Sequence, residues 1–292
     1  MDVRQVASYL HLNEKKIYSL AGSGDIPATK VTGKWLFPRE LIDKWILDST
    51  HNGLMHDRLS LAGGDDILIQ SRINQLTQAL GSTAVITFTE TTTRNALDLL
   101  NSNKINIAIL NWGPDTESGT RHPALLQQYP NCKQWILVQG LRRERGIIVH
   151  RDIALDKYPV ERLFDSQFRW SLPAEGSGAY RWLVELLSRY SLSINQLNRS
   201  TEAHSLNETA ASINNGISDV GIGTRASSQQ FHLEFLSQGW EQLDLVMTRD
   251  IWFRHLFHKF LEELGSGSHT QAADEMAGYD LTQFGKILWG NQ

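Results

Sequence analysis

Three turns rich in glycine and hydroxyl side chains hold the residues of this 292-residue chain best placed to do chemistry: Gly63-Gly64-Asp65-Asp66, Thr89-Glu90-Thr91-Thr92-Thr93 and Pro173-Ala174-Glu175-Gly176-Ser177-Gly178. Each stands directly before a stretch that reads as a helix. A helix start presents unpaired N–H groups and the positive end of the backbone dipole, and neighbouring hydroxyls add donors, so such turns suit a desolvated anion. Gly63, Gly64, Asp65, Thr91, Thr92, Thr93, Gly176, Ser177 and Gly178 are therefore candidate ligand-binding residues. Covalent chemistry finds less support. Ser177 lies in Glu175-Gly176-Ser177-Gly178-Ala179, which lacks the first glycine of a nucleophile elbow, and no neighbouring histidine supplies a base. Gly63-Gly64-Asp65-Asp66 has neither a phosphate-loop lysine nor dinucleotide-binding spacing. His255 and His258 share a helix face but sit among Trp252, Phe253, Leu256 and Phe257, a setting for packed histidines more than for a metal. One cysteine, Cys132, excludes an internal disulfide and a thiolate cluster. No catalytic role, metal or cofactor is assigned.

A second group of polar residues is cationic and lies near the start. Asp2 and Asn13 are placed to cap two short helices, with Val3, Val6, Ala7 and Leu10 on one apolar face and Ile17 and Leu20 on the next. Gly22-Ser23-Gly24-Asp25-Ile26-Pro27 closes the pair. Ala28 to Val31 and Lys34 to Phe37 read as two strands around Thr32-Gly33, and Pro38 to Ile46 as a closing helix. The stretch resembles the excisionase-type, MerR-like winged helix-turn-helix DNA-binding domain over residues 1–50. The likeness rests on Val6-Ala7-Ser8-Tyr9-Leu10, Lys16-Ile17-Tyr18, Gly24-Asp25-Ile26-Pro27-Ala28, Gly33-Lys34-Trp35 and Leu41-Ile42-Asp43-Lys44-Trp45. It implies that Lys15, Lys16 and Tyr18 approach a major groove while Lys30, Lys34 and Arg39 surround the wing, where phosphates would lie.

Polar, aperiodic residues 51–57 read as a linker. Beyond it, strands alternate with helices: Leu59 to Ala62 before a helix with Ile69, Ile73, Leu76 and Leu80; Val85 to Phe88 before one with Ala96, Leu97 and Leu100; then Ile105 to Leu110; later Phe168 to Leu172 before a helix over 179–187. Short apolar strands each followed by a helix predict a parallel sheet covered on both faces, with ligands beyond the strands' carboxyl ends. The Gly-Ser-Gly turn, the run Gly216-Ile217-Ser218-Asp219-Val220-Gly221-Ile222-Gly223, Arg143-Glu144-Arg145-Gly146-Ile147 and Gly278-Tyr279-Asp280 resemble the landmarks of the cytoplasmic type II periplasmic-binding-protein-like domain found fused to helix-turn-helix heads. The resemblance covers 58–292 and implies two α/β lobes, joined by crossing segments near 145–150 and 243–248, with ligand in the cleft. It adds Asn111, Trp112 and Asp219 to the candidate ligand residues. Relatives of this kind bind molybdate or tungstate. Here Thr91-Thr92-Thr93 replaces a glycine-rich turn, Asn111-Trp112 stands where His-Leu is usual, and Asp65 and Glu175 put carboxylates among the turns. A small organic ligand packed on Trp112 is the other option.

The whole chain thus reads as a small winged helix-turn-helix domain followed by a two-lobed α/β domain. Its net charge of −4 conceals a split: residues 1–50 carry seven Lys or Arg against six Asp or Glu, leaving −5 on the remainder. Nucleic-acid binding belongs to the front end, and so few cations favour a homodimer on double-stranded operator DNA. No apolar run approaches the ~20 residues of a membrane span, and a capped amphipathic helix replaces a signal peptide, so a cytoplasmic protein is expected. A ligand-responsive transcriptional regulator is the leading expectation. An architectural recombination factor, implied by the head alone, is the alternative.

Overall fold

Asp2 starts the chain's first helix with a reciprocal cap: its carboxylate accepts from Gln5 N–H at 2.8 Å while Gln5 Oε1 accepts from Asp2 N–H at 2.9 Å. In the computed structural model, which describes residues 1–23, 26–31, 33–50, 58–153, 159–265 and 278–290, that helix is α1 (Val3–Tyr9). His11, at φ 52°, turns the chain, and Asn13 accepts from Lys16 N–H at 2.7 Å to begin α2 (Glu14–Ser23). Strands β1 (Thr29–Val31) and β2 (Lys34–Leu36) pair antiparallel, Lys30 opposite Trp35, around Gly33 at φ +83°. Helix α3 (Arg39–Thr50) closes the unit. Val3, Val6, Ala7, Ile17, Ala21, Ile26, Phe37 and Ile42 form its core; of the apolar faces that the sequence predicts, Leu10 and Leu20 are only partly buried against it. The turn residues Gly24 and Asp25, the wing residue Thr32 and the linker 51–57 lie outside the described residues, as does the side chain of Lys44.

Contacts divide the chain into two units, Met1–Asp57 and Arg58–Gln292. The second unit begins with β3 (Arg58–Gly63), α4 (Ile67–Leu80), β4 (Val85–Glu90), α5 (Thr93–Asn101), β5 (Ile107–Leu110), α6 (Ser118–Leu126) and β6 (Trp135–Val149). It continues with β7 (Arg169–Pro173), α7 (Gly178–Arg189), β8 (Asn198–Ala203), α8 (Leu206–Asn214), β9 (Val220–Thr224), α9 (Arg225–Gln230) and β10 (Glu234–Thr248), and ends with α10 (Arg249–Trp252), α11 (His255–Gly265), β11 (Tyr279–Asp280) and β12 (Ile287–Trp289). The strand order is β4-β3-β5-β10-β6-β9-β7-β8, with β11 and β12 also paired to β6.

Two lobes result. In the first, β3 lies parallel to β4 and β5; in the second, β7 lies parallel to β8 and β9. The all-parallel expectation therefore holds within each triplet and fails between them, because β6 and β10 are fifteen-residue strands, antiparallel to each other, that run through both lobes. β10 pairs with β5 over 244–247 and β6 with β9 over 145–149. The passage between lobes thus falls at 142–145 and 239–242, a few residues ahead of the predicted segments. The resemblance implied the later positions, whereas the passage is built from the buried charged residues Arg143, Arg145 and Glu241. Bulges between Ser237 and Gly239 and between Leu243 and Leu245 flank it. Leu59, Leu61, Ile69, Ile73, Phe257 and Phe260 anchor the first lobe's core; Trp170, Leu183, Leu187 and Val220 anchor the second's. Each such side chain contributes about 1.5 to 3 kcal/mol on burial, enough to hold the strand ends and helix starts in place.

Candidate functional site

The carboxyl ends of β3, β4, β7 and β8 and the starts of α5, α7 and α8 converge on a cavity of about 350 Å³ lined from both lobes. Three of its lining hydroxyls are helix caps. Thr92 Oγ1 accepts from Asn95 N–H at 3.3 Å, Ser177 Oγ from Tyr180 N–H at 3.0 Å and Ser205 Oγ from Glu208 N–H at 3.1 Å. A hydroxyl that accepts a cap bond still has its own proton to donate. Thr93 differs. Its Oγ1 donates to Asn111 O at 2.9 Å and accepts from Asn111 N–H at 3.2 Å, so it fastens α5 to the end of β5. Thr91 accepts from Asn95 Nδ2 at 2.6 Å.

One wall of the cavity is an ionic array made where the two long strands pass between lobes. Glu241 accepts from Arg143 Nε at 2.6 Å and from Arg145 Nη1 at 3.1 Å. Arg143 Nη1 also donates to Asp66 Oδ2 at 3.0 Å and to the Asp65 carbonyl at 2.5 Å, and Tyr279 donates to Asp66 Oδ2 at 3.1 Å. Burial opposes ionisation of Glu241, but the two guanidiniums outweigh it and hold its carboxyl below the ordinary range. Arg145 is 7% exposed, its guanidinium lies over the Trp182 ring at 4.9 Å, and its buried Nε–H has no acceptor among the described residues. Burial lowers its affinity for a proton, against the pull of Glu241; an arginine so placed stays charged and keeps a donor unspent.

Asp65 joins the lobes directly. Its Oδ2 accepts from Leu206 N–H at 2.8 Å and Asn207 N–H at 3.3 Å, so a carboxylate of the first lobe sits on the start of α8 in the second. Burial pushes its pKa up, against Arg143 and those two amides.

Of the candidate ligand residues, Gly64, Asp65, Thr91, Thr92, Thr93, Asn111, Ser177 and Gly178 line this cavity together. Gly63 does not. Its carbonyl accepts from Thr91 N–H at 2.7 Å and an added Cβ would stand 2.5 Å from Ile109 Cβ, so it serves close packing of β3 on β5. Gly176 provides the positive-φ turn (+83°) before α7. Trp112 lies in an adjoining small cleft under the guanidinium of Arg181, 3.6 Å from its ring. Asp219 is a correction to the sequence reading: it precedes β9, whose far residues Ile222 and Gly223 face the cavity, and it pairs with Arg169 through Nη2 at 2.7 Å and Nε at 3.0 Å. Its place in a glycine-rich run reflects strand entry, and that guanidinium holds its carboxyl below the usual range. Arg143, Arg145, Glu241, Trp182 and Ser205 line the cavity without having been assigned to it from the sequence. Ser205-Leu206-Asn207-Glu208 carries a cap signature that could have revealed one; the ionic array pairs residues 96 and 98 positions apart and left no local signal.

In the first unit, Lys15, Lys16 and Tyr18 are exposed on α2, Tyr18 at 52%. Lys30, Lys34 and Arg39 are exposed around the wing; Lys30 lies over Trp35 at 5.7 Å, and Arg39 lies over Tyr9 at 5.4 Å and pairs with Asp43 at 3.9 Å. His258 packs against Trp252 and Phe257, and no cluster suited to a metal occurs among the described residues. No described helix is long and apolar enough to cross a membrane.

A winged helix-turn-helix unit joined to a two-lobed α/β unit with an interlobe cavity defines a DNA-binding protein with a ligand-binding body. The chain belongs to the PBP superfamily: the model of the PBP superfamily domain matches residues 74–265, and that of a helix-turn-helix domain matches residues 1–49. Solved structures of similar fold include the Synechocystis PCC6803 CcmR regulatory domain in complex with 2-PG (14% identity, TM-score 0.53, 73% of this chain and 98% of that one). Another is the BenM effector binding domain with its effector benzoate (13%, 0.51, 75% and 94%). An H2O2-bound mutant of Corynebacterium glutamicum OxyR is similar over more of the chain (13%, 0.51, 92% and 92%). No curated protein matches by sequence. Together the two domain matches give a helix-turn-helix domain followed by a PBP superfamily domain.

Proposed function

We propose that this chain is a one-component transcription factor whose effector is a small organic molecule bearing a carboxylate, held between the two lobes. The observation that carries the reading is Arg145: a buried guanidinium that spends only Nη1 on a described acceptor, in the wall of a cavity where the hydroxyls of Thr92, Ser177 and Ser205 gather. About 350 Å³ with Trp182, Leu206 and Ile222 in the lining suits an organic skeleton better than a bare tetrahedral oxyanion, which would leave most of it unfilled. Molybdate or tungstate is the second reading, favoured by the cap hydroxyls. Ligand acts on DNA only through different affinity for the DNA-competent and incompetent arrangements, so lobe closure is the step that must be coupled to the heads. Lys15, Lys16, Tyr18, Lys30, Lys34 and Arg39 are proposed to meet DNA, the lysines and arginine chiefly at phosphates.

Calorimetric titration with a panel of small carboxylates, beside molybdate, tungstate and sulfate, tests the effector class. Micromolar binding of a carboxylate that Arg145→Met removes supports the reading. Tight molybdate binding with no carboxylate binding replaces it with the oxyanion.

A further inference from the structure

The cavity's charge does not suit an anion alone. Four carboxylates line it, from Asp65, Glu90, Glu175 and Glu241, against two guanidiniums, from Arg143 and Arg145, an excess of two acidic side chains over basic ones. They are not evenly spread. Both arginines and Glu241 are more than nine-tenths buried at the lobe passage, whereas Glu90 and Glu175 are exposed residues at the mouth. Glu175 has no partner among the described residues, and Glu90 accepts from Gln70 Nε2 through one oxygen. Asp65 uses Oδ2 for the two α8 amides; no described residue bonds Oδ1, and burial leaves its carboxyl short of counter-charge. At the inner end Arg143 and Arg145 are balanced by Glu241 and by Asp66, and Arg145 spends only Nη1 on a described carboxylate; the outer end is acidic, with unspent acceptors.

We propose that the effector is a zwitterion of the amino-acid class, its carboxylate on Arg145 and the cap hydroxyls of α5 and α7 and its protonated amine on the Glu175, Glu90 and Asp65 carboxylates. The inference rests on the reading of this cavity as the effector site. A simple dianion would meet two uncompensated carboxylates on entry, and a simple amine would leave the cap hydroxyls and the remaining terminal N–H groups of Arg145 without an acceptor. A zwitterion satisfies both ends, and the half-apolar lining of Ala174, Ala179, Trp182 and Leu206 is left for a side chain.

The experiment uses the full chain and three matched sets of probes: the common amino acids, the carboxylic acids of the same skeletons lacking the amine, and the amines lacking the carboxylate. Thermal shift screens them and calorimetry measures the hits. The expected result is that at least one amino acid binds and that its deaminated acid and decarboxylated amine bind at least about tenfold more weakly, the loss of one charge-assisted contact. Glu175→Gln and Glu90→Gln are expected to weaken the amino acid by about three- to tenfold each, the range for partly exposed charge pairs. They leave the deaminated acid unchanged or tighter, and being surface changes they leave the unfolding temperature without ligand unmoved. A carboxylic acid that binds as tightly as its amino acid, unaffected by both glutamine variants, overturns the zwitterion and leaves the cleft reading standing. Binding of none of the three sets, or binding indifferent to Arg145→Met, overturns both.

Discussion

Arg145 and Glu241 are held in opposition, and their separate removal has separable consequences. Arg145→Met deletes the guanidinium while Glu241 keeps Arg143, so ligand affinity is expected to fall by about ten- to a hundredfold, one to two charge-assisted bonds, with a smaller loss of stability. Calorimetry beside thermal unfolding separates the two. Glu241→Gln is the reverse: it strands two buried guanidiniums, and a loss on the order of 3 to 5 kcal/mol is expected. Its pH signature has a definite sign. The Glu241 pKa is lowered in the folded protein, so its stabilising contribution is complete above the unfolded glutamate value and disappears as pH falls through it toward the folded one. The unfolding temperature of the parent chain should therefore drop on acidification below about pH 4.5, and less steeply in the variant. Asp65 has the opposite sign: burial raises its pKa, so its ionised form is a cost at neutral pH that is relieved on protonation. Asp65→Asn is expected to steepen the acid-side loss. None of this was legible in the sequence. Arg143-Glu144-Arg145 stood only as a landmark of the resemblance, and its partner Glu241 is brought beside it by a strand about a hundred residues away.

At the scale of elements, the helix starts were the readable part. Hydroxyls before apolar periodicity at Thr92 and Ser177 marked α5 and α7 correctly because cap chemistry is local, three residues long, and does not depend on tertiary context. β6 and β10 were read only in fragments, since buried ion pairs and glycines at Gly140, Gly146 and Gly239 interrupt their apolar pattern. The glycines in β6 are there for space: a Cβ on Gly140 would stand 1.8 Å from Leu243 O, and one on Gly146 2.1 Å from Leu236 O, both on β10. Substituting alanine at either should push the strands apart at the lobe passage and lower the unfolding temperature. The cap residues permit a cleaner test of the anion end. Ser177→Ala removes both the cap, about 1 kcal/mol, and the donor proton, whereas Ser177→Asp keeps a good cap and puts a negative charge where the ligand's carboxylate should sit. Aspartate is therefore expected to preserve the unfolding temperature and abolish ligand binding, while alanine lowers the first and weakens the second by roughly tenfold. Ligand affinity unchanged in Ser177→Asp would remove α7 from the site.

For the whole molecule the decisive numbers are charges. Residues 1–50 hold one more cation than anion and the remainder carries −5, so long-range attraction to DNA is weak and the contacts on α2 and the wing must supply affinity. One recognition helix and one wing from a single chain give few phosphate contacts. Tight operator binding is thus expected from two copies reading half-sites one or more helical turns apart, and sedimentation is expected to find a dimer on the operator. Lys15→Glu with Lys16→Glu should abolish that complex in a gel shift, flatten its salt dependence, and leave ligand titration untouched, since neither lysine belongs to the unit that holds the cavity. The sharpest expectation concerns coupling. If an effector in the interlobe cavity changes operator affinity by some factor, thermodynamic linkage requires saturating operator DNA to change effector affinity by the same factor in the same direction, typically about 5- to 150-fold. Calorimetric titration of the effector with and without operator DNA measures it directly. Equal affinities in the two titrations would mean that the cavity and the DNA-binding head report to different functions, and the one-component regulator reading would fall even if both sites bind their ligands.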